Sequence, residues 1–245
     1  MTASPQQHAD DGVSYSGRDL EILAKMPRYY AWIVGRFAAV LRGHVVEYGA
    51  GSGSVSDLVI PHADRLDLVE PSPDLTEMLA AKYAGNACVH VHGLMLEDHL
   101  VHLPEGSVDA FVMVNVLEHV EDDRTAMAQL HRALKPGGHA VIFVPAMKFL
   151  MSDLDRLHGH YRRYHRGELV AMAKAAGFEI VTAGYMDVVG VLTWYLVNTL
   201  GRRTEFHPEM VRVYDRWIQP VTAFIERIVS PPLGKNVLLV ARRSL

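Results

Sequence analysis

Apolar positions along the chain follow two rhythms. Runs of strand length, HVVEY (44–48), RLDLVE (65–70), ACVHVH (87–92), VDAFVMVN (108–115) and HAVIFVP (139–145), alternate with stretches around 53–60, 73–83, 121–134 and 166–177 where apolar residues recur every three or four positions. GFEIVTAGY (177–185) and KNVLLVARR (235–243) are two further strand-like runs. Runs that are apolar almost throughout suit strands covered on both sides, and strands separated by helices build βαβ units. The pattern predicts an α/β, doubly wound, mostly parallel seven-stranded sheet with helices on both faces, N-terminal helices and a helical insertion before the last strand.

The punctuation agrees with this layout. In EPSPDLTEML, Ser72 is placed to cap a helix that starts at Pro73, and in LKPGGHAVIF a helix ends at Lys135 before a glycine turn. Before the first strand, Leu20, Leu23, Ile33, Phe37 and Val40 predict helical segments broken at Pro27. The interval before the last strand is too long for a hairpin. Met210, Val213, Tyr214, Trp217, Ile218, Val221, Phe224, Ile225 and Ile228 repeat there at helical spacing, with a kink expected at Pro220. The expected organisation is a flexible tail (1–16), a main domain (17–185 plus 235–245, with N-terminal helices in 17–42) and a helical cap (186–234). VVGVLTWYLVNTLG (188–201) is uncharged for 14 residues, short of the roughly 20 that a spanning helix needs. It reads as buried or interfacial.

Composition narrows the partners. A net charge of −4 over 245 residues gives no electrostatic reason to expect nucleic acid as a partner, although it leaves room for a local basic patch. The single cysteine, Cys88, sits in a strand-like run and reads as a small core residue of a reducing compartment. No basic segment followed by an apolar stretch opens the sequence, and the expected location is the cytoplasm. Arg202 and Arg203, next to the longest apolar run, permit peripheral contact with anionic headgroups without a transmembrane segment. The chain is expected as a monomer or a homodimer.

The first strand runs into VVEYGAGSGSVS, with glycines at 49, 51 and 53. At the carboxyl end of a parallel strand such glycines let the backbone turn tightly and approach a ligand, and the next helix presents unpaired N–H groups. The dinucleotide fingerprint serves a pyrophosphate. Here an acidic residue, Glu47, precedes the loop, and the second strand ends at Glu70, placed to accept hydrogen bonds from a ribose diol. A nucleoside with a cationic end suits both carboxylates.

S-adenosylmethionine is such a ligand. VVEYGAGSGSVS, LDLVEPSPDL, VDAFVMVNVLEHVEDD and LHRALKPGGHAVIFVP stand in an order and spacing that resembles the class I S-adenosylmethionine-dependent methyltransferases across residues 44–185. The resemblance implies that Glu47, Gly49, Ala50, Gly51 and Gly53 form the cofactor loop, that Glu70 binds the ribose and that Pro71 lies beside the adenine. It further implies that Asn115 and Val116 underlie the methionine part and that Tyr29 closes over it. Many relatives carry an aspartate after the third strand for the adenine amine. This sequence has Gly93, Leu94 and Met95 there, leaving that contact to backbone groups or to Glu97.

Methyl transfer to a hydroxyl or amine needs alignment and a base, most often histidine near neutral pH. Two segments offer one. NVLEHVEDD places Glu118 and His119 just past the fourth strand, either as chemistry or as a brace for the loop. DLDRLHGHYRRYHRGEL (153–169) packs Asp155, His158, His160, Tyr161, Arg162, Arg163, Tyr164 and His165 after the fifth, and its arginines also suit anchoring through Asp153 or Asp155. The candidate catalytic residues are His119, His160 and Tyr164. The spacing of His158, His160 and His165 with Asp155 matches no closed zinc pattern, so no metal is expected. Trp194, Tyr195, Phe206, Tyr214 and Trp217 are expected to line an apolar acceptor pocket, or else to form a helical core or an interface. The expected reaction is methylation of a small-molecule hydroxyl on a sugar, lipid-linked or secondary-metabolite acceptor. The alternatives are transfer to nitrogen or carbon, an NAD(P)-dependent oxidoreductase, and a non-catalytic module.

Overall fold

The computed structural model describes Ile22, residues 24–205 and residues 207–245. The expected tail, Leu20, Leu23 and Phe206 lie outside the described residues. The strands are β1 (His44–Tyr48), β2 (Arg65–Val69), β3 (Val89–His92), β4 (Val108–Val114), β5 (Leu134–Pro145), β6 (Glu179–Met186) and β7 (Asn236–Arg242). They form one sheet in the order β3-β2-β1-β4-β5-β7-β6. β1 to β5 run parallel, and β7 slots antiparallel between β5 and β6.

Along each central strand successive side chains enter opposite cores. Phe111 and Met113 of β4 join Ile142 of β5 and Leu239 of β7 on one side, whereas Ala110, Val112, Phe143 and Leu238 join Val45 on the other. This two-sided burial is why the strands read as continuous apolar runs. Strand order reverses between β1 and β4, so the loops at their carboxyl ends diverge and leave a crevice.

Helices α1 (Pro27–Gly35), α2 (Ser56–Val59), α3 (Pro73–Lys82), α4 (Leu96–His102), α5 (Asp123–Ala133), α6 (Asp153–Leu157) and α7 (Arg166–Ala175) surround the sheet. α4 and α6 carry no sequence expectation: both are short, and length is what separates a helix from a loop in a periodicity reading. Ser72 and Pro73 do start α3, but the Ser72 side chain makes no cap; its backbone N–H goes to Glu70 Oε1 instead, at 3.1 Å. α5 stops at Ala133, two residues before the expected Lys135, because the chain joins β5 at Leu134. Cys88 is half-buried rather than a core residue, since it leads into β3 at the edge of the sheet.

Between β6 and β7 lie α8 (Val188–Trp194), which continues as a π-helical stretch (Tyr195–Leu200), and a second rod. That rod comprises α9 (Pro208–Val213), a π-helical stretch (Tyr214–Ile218) and α10 (Gln219–Ile228). The loosened turns end where Pro220, which has no N–H to donate, enters the rod. The apolar stripe predicted over 210–228 is real, but it points outward. Trp217, Val221, Phe224 and Ile228 are exposed, while Asp215, Gln219, Thr222 and Glu226 are buried. No helix of the described residues is long and apolar enough to cross a membrane.

Candidate functional site

The crevice beyond β1 and β4 opens into a cavity of about 710 Å³, in the upper part of the range for small-molecule sites. On the β1 side, the Gly49 N–H donates to Val69 O at 2.8 Å, which folds the loop over the end of β2. A Cβ on Gly49 would stand 2.5 Å from Val116 Cγ2, and its φ is +65°, so only glycine lets the two strand ends approach this closely. The Gly51 N–H donates to Glu70 Oε2 at 2.9 Å, tying the loop to the acid that ends β2. Asn115, at the end of β4, adopts the left-handed conformation with φ of 55°, which asparagine tolerates better than most residues.

The cavity gathers most of the sequence-predicted residues. Glu47, Gly49, Ala50, Gly51, Glu70 and Pro71 line one end. Leu94 and Met95 stand beside them with Glu97, and Asn115, Val116 and Tyr29 lead toward His119 and His160. Three residues fall elsewhere. Gly53 faces α3, where a Cβ would meet Tyr83 Oη at 2.6 Å, so it serves packing rather than the cavity. Gly93 backs onto Thr76 of the same helix, 3.4 Å from where its Cβ would be. Tyr164 is buried beneath the site: its hydroxyl donates to Leu117 O at 3.1 Å and to Asp123 Oδ2 at 2.9 Å, which removes it as a catalytic group and makes it a strut. Of the expected aromatic lining, Trp194 and Tyr214 reach the cavity, whereas Tyr195 and Trp217 are on the outer surface.

Burial sets the charge state of the acids here. It pushes the Glu47 carboxyl up to about 8, which favours its protonated form at neutral pH. It raises Glu70 as well, against the two backbone N–H groups that favour its charged form. Glu118, fully buried, is pushed up to about 8 by the same effect. His119 is pushed down to about 3 by burial and by the neighbouring imidazoles of His160 and His158, so it stands neutral. Burial acts to raise Asp155, but a hydrogen bond from His160 and the Arg163 guanidinium outweigh it and hold the carboxyl below the usual range.

The loop 158–164 owes its shape to that carboxylate. Arg163 is buried, donates to Asp155 Oδ1 through two nitrogens at 2.7 and 3.1 Å, and lies over the Trp194 ring. His160 Nδ1 sits 3.0 Å from the same oxygen. Arg162 turns away to Asp123 at 2.8 Å, and Asp153 pairs with Arg156, so of the two expected anchors only Asp155 is used.

The sequence reading missed a second polar centre. Asp187, buried just after β6, meets the Lys235 ammonium at 2.9 Å, accepts from the Gly190 N–H at 3.0 Å and accepts from the Tyr214 hydroxyl. Lys235 lies within 5.6 Å of the ring centres of Tyr29, Trp194 and Tyr214, joining the cap helices to α1. Tyr29 hydrogen-bonds Asn236 next to it, at 3.2 Å. The antiparallel register of Met186 against Asn236 is the feature that sets Asp187 opposite Lys235, and it follows from strand pairing rather than from any local motif.

A methyltransferase-domain family model matches residues 22–183, most of the chain. A Mycolicibacterium smegmatis protein named as an S-adenosylmethionine-dependent methyltransferase is 29% identical over 56% of this chain and 52% of its own length. The ubiquinone/menaquinone biosynthesis C-methyltransferase of Rubrivivax gelatinosus is 30% identical over 42% of this chain and 40% of its own. The chain thus spans about half the length of these relatives. Among solved structures, the complex of the Haloferax volcanii Trm112 methyltransferase activator with a methyltransferase contains a similar fold, with a TM-score of 0.63 at 17% identity, covering 99% of this chain and 100% of that one. With the glycine loop, the acid after β2 and the sheet order all in place, the chain belongs to the methyltransferase-domain family, of the class I kind whose cofactor is S-adenosylmethionine.

Proposed function

We propose that the chain moves the methyl group of S-adenosylmethionine onto a hydroxyl of a small-molecule acceptor, on a sugar, a lipid-linked molecule or a secondary metabolite. One observation carries this reading: His119 and His160 stand edge to face, 4.6 Å between ring centres, in the same cavity as the cofactor loop. An alcohol is a poor nucleophile until its proton is taken; His160, oriented through Nδ1 by Asp155 at 3.0 Å, is the better suited of the two to take it, since burial pushes His119 down too far to hold a proton well. The oxygen attacks the methyl carbon opposite sulfur, the C–S pair stays on sulfur, and the proton goes to the imidazole. Transfer to carbon is the second reading, favoured by the C-methyltransferase among the relatives.

Met210, Val211, Trp194 and Tyr214 at the cap end of the cavity support an acceptor with an apolar part. The exposed stripe of Trp217, Val221, Phe224 and Ile228 is bordered by Arg216 and Arg227, while Asp215 and Glu226 of the same rod are turned inward and the exposed Glu209 is paired with Arg212. An apolar face with a cationic border suits an anionic lipid surface. A homodimer through this face would set those arginines against their own copies.

The test is a mass-spectrometric screen of candidate alcohols for a gain of one methylene, with the methyl resonance read by NMR to separate O–CH3 from C–CH3. Gly51→Arg is expected to abolish binding of S-adenosylmethionine with the circular dichroism spectrum retained. His119→Ala and His160→Ala are each expected to lower kcat by about 10²-fold or more if that imidazole is the base. Tight NADH binding without S-adenosylhomocysteine binding would overturn the reading.

A further inference from the structure

We infer that Glu118, His119 and His160 form a binding site for one divalent transition-metal ion, held at the acceptor end of the cavity. One carboxylate oxygen of Glu118 and one ring nitrogen of each histidine lie within 4.8 Å of one another. The carboxylate is the informative member. Glu118 is 0% exposed, and among the described residues no other residue's side chain or backbone hydrogen-bonds either oxygen, its own backbone N–H being the one group that favours its charged form at close range. Burying a carboxyl with so little hydrogen bonding is costly whether it is charged or protonated, and a cation seated between it and the two imidazoles would offset that cost.

The surroundings are those of a ligand set held from behind. The His160 ring is fixed through Nδ1 by Asp155 at 3.0 Å, and Asp155 is itself held by the Ser152 N–H and hydroxyl, both at 2.7 Å, and by Arg163. The backbone of His158 and Gly159 hydrogen-bonds His119. Carboxylate or carbonyl groups behind ligating imidazoles are the usual outer shell of a metal site. The Tyr161 N–H donates to Glu118 O at 2.9 Å, which locks the two loops at the distance where their side chains converge. Asp67, His92 and His99 are a comparable trio, but Asp67 already has Arg65 at 2.9 Å and His44 at 2.7 Å, so that trio is an ion-pair network.

The expectation of no metal weighed His158, His160, His165 and Asp155, which are neighbours in sequence. The structure instead brings Glu118 and His119, just past β4, against His160. Two imidazoles and one carboxylate suit zinc, manganese or cobalt rather than magnesium or calcium, and three protein ligands leave positions for a substrate oxygen.

The consequence rests on the reading of the acceptor as an alcohol. An ion there would hold the alcohol oxygen at an open position and make its proton easier to lose, and the methyl group would pass to that oxygen as the C–S bond breaks, with the electron pair left on sulfur and the proton released to water. With the ion bound the two imidazoles would serve as its ligands; without it an imidazole takes the proton as proposed above.

The experiment titrates the full chain, dialysed against chelator, with MnCl2, CoCl2 and ZnCl2 in a calorimeter and records the visible spectrum of the cobalt form. One ion per chain is expected. Glu118→Gln and His160→Ala are each expected to weaken its binding at least about 100-fold, and Asp155→Asn by about 10- to 100-fold. His62→Ala, an exposed histidine away from the cavity, is expected to leave binding unchanged. S-adenosylhomocysteine titrations of Glu118→Gln separate the two readings: the cofactor site is expected to bind as in the parent. No uptake of any of the three ions by the parent chain, or equal uptake by Glu118→Gln and His160→Ala, overturns the site even if cofactor binds. Metal uptake without cofactor binding leaves the site standing and rejects methyl transfer.

Discussion

Phe143 in β5 and Phe224 in α10 belong to equally regular apolar patterns and end in opposite environments. Phe143 is completely buried between the sheet and its helices; Phe224 is 66% exposed. The strand has no choice, because both of its faces are covered and any register buries apolar side chains. The cap rod does have a choice, and its carboxylates decide it. Asp215 accepts from the Tyr29 N–H at 2.8 Å and the Arg28 N–H at 3.4 Å, the open first turn of α1, which has no side-chain cap of its own. Glu226 accepts from the Val188 N–H at 2.8 Å at the start of α8. Charged caps on helix N-termini satisfy orphan donors and complement the dipole. Turning these acids inward turns Trp217, Val221, Phe224 and Ile228 out.

The sharpest way to break this comparison is to truncate both phenylalanines. Phe143→Ala is expected to cost about 3–5 kcal/mol in urea denaturation, whereas Phe224→Ser stays within about 0.5 kcal/mol of the parent. A loss of comparable size in Phe224→Ser would mean that the stripe packs against protein.

A second test compares the two ends by pH. Because the fold raises the Glu47 carboxyl from 4.5 to about 8, the stability it contributes is fully present below the unfolded value and is lost as pH climbs toward 8. A cofactor carrying an ammonium group favours the ionised form. Calorimetric affinity for S-adenosylmethionine is therefore expected to rise up to about tenfold per pH unit between pH 6 and 7.5, with proton release, and Glu47→Gln is expected to flatten that slope. Vesicle binding through the cap has no carboxyl of this kind on its exposed stripe and is expected to stay level over the same range.

The smallest expected effect concerns that stripe. Trp217→Ser is expected to lower co-sedimentation with phosphatidylserine vesicles several-fold and leave binding to neutral vesicles, and the melting temperature, unchanged. Equal binding by Trp217→Ser and the parent would remove the lipid reading and leave the stripe as bare surface.

Much of the crevice lining beyond β1 and β2 was legible in advance because its determinants are local. A glycine loop between a strand and a helix, and an acid at the next strand's end, sit within a few residues of the atoms they serve. Gly53 and Gly93 were misplaced because spacing shows that a position needs glycine, not whether a ligand or a neighbouring helix comes close. Tyr164 was misplaced for a related reason: a polar residue in a loop at the right end of the sheet has two sides to face, and Asp123 with Leu117 O took it inward.

What the amino-acid order settles alone is the sequence of strands and helices, the sheet they build and the crevice at its switch point. These follow from hydrophobic period and turn chemistry, which act over a few residues. Tertiary structure decides which face the cap rod buries, which side chains converge from segments dozens of residues apart, as Glu118 with His160 and Asp187 with Lys235 do, and where each polar group finds its partner. Those outcomes depend on satisfying buried donors and acceptors across the whole fold, a condition that no short window of sequence contains.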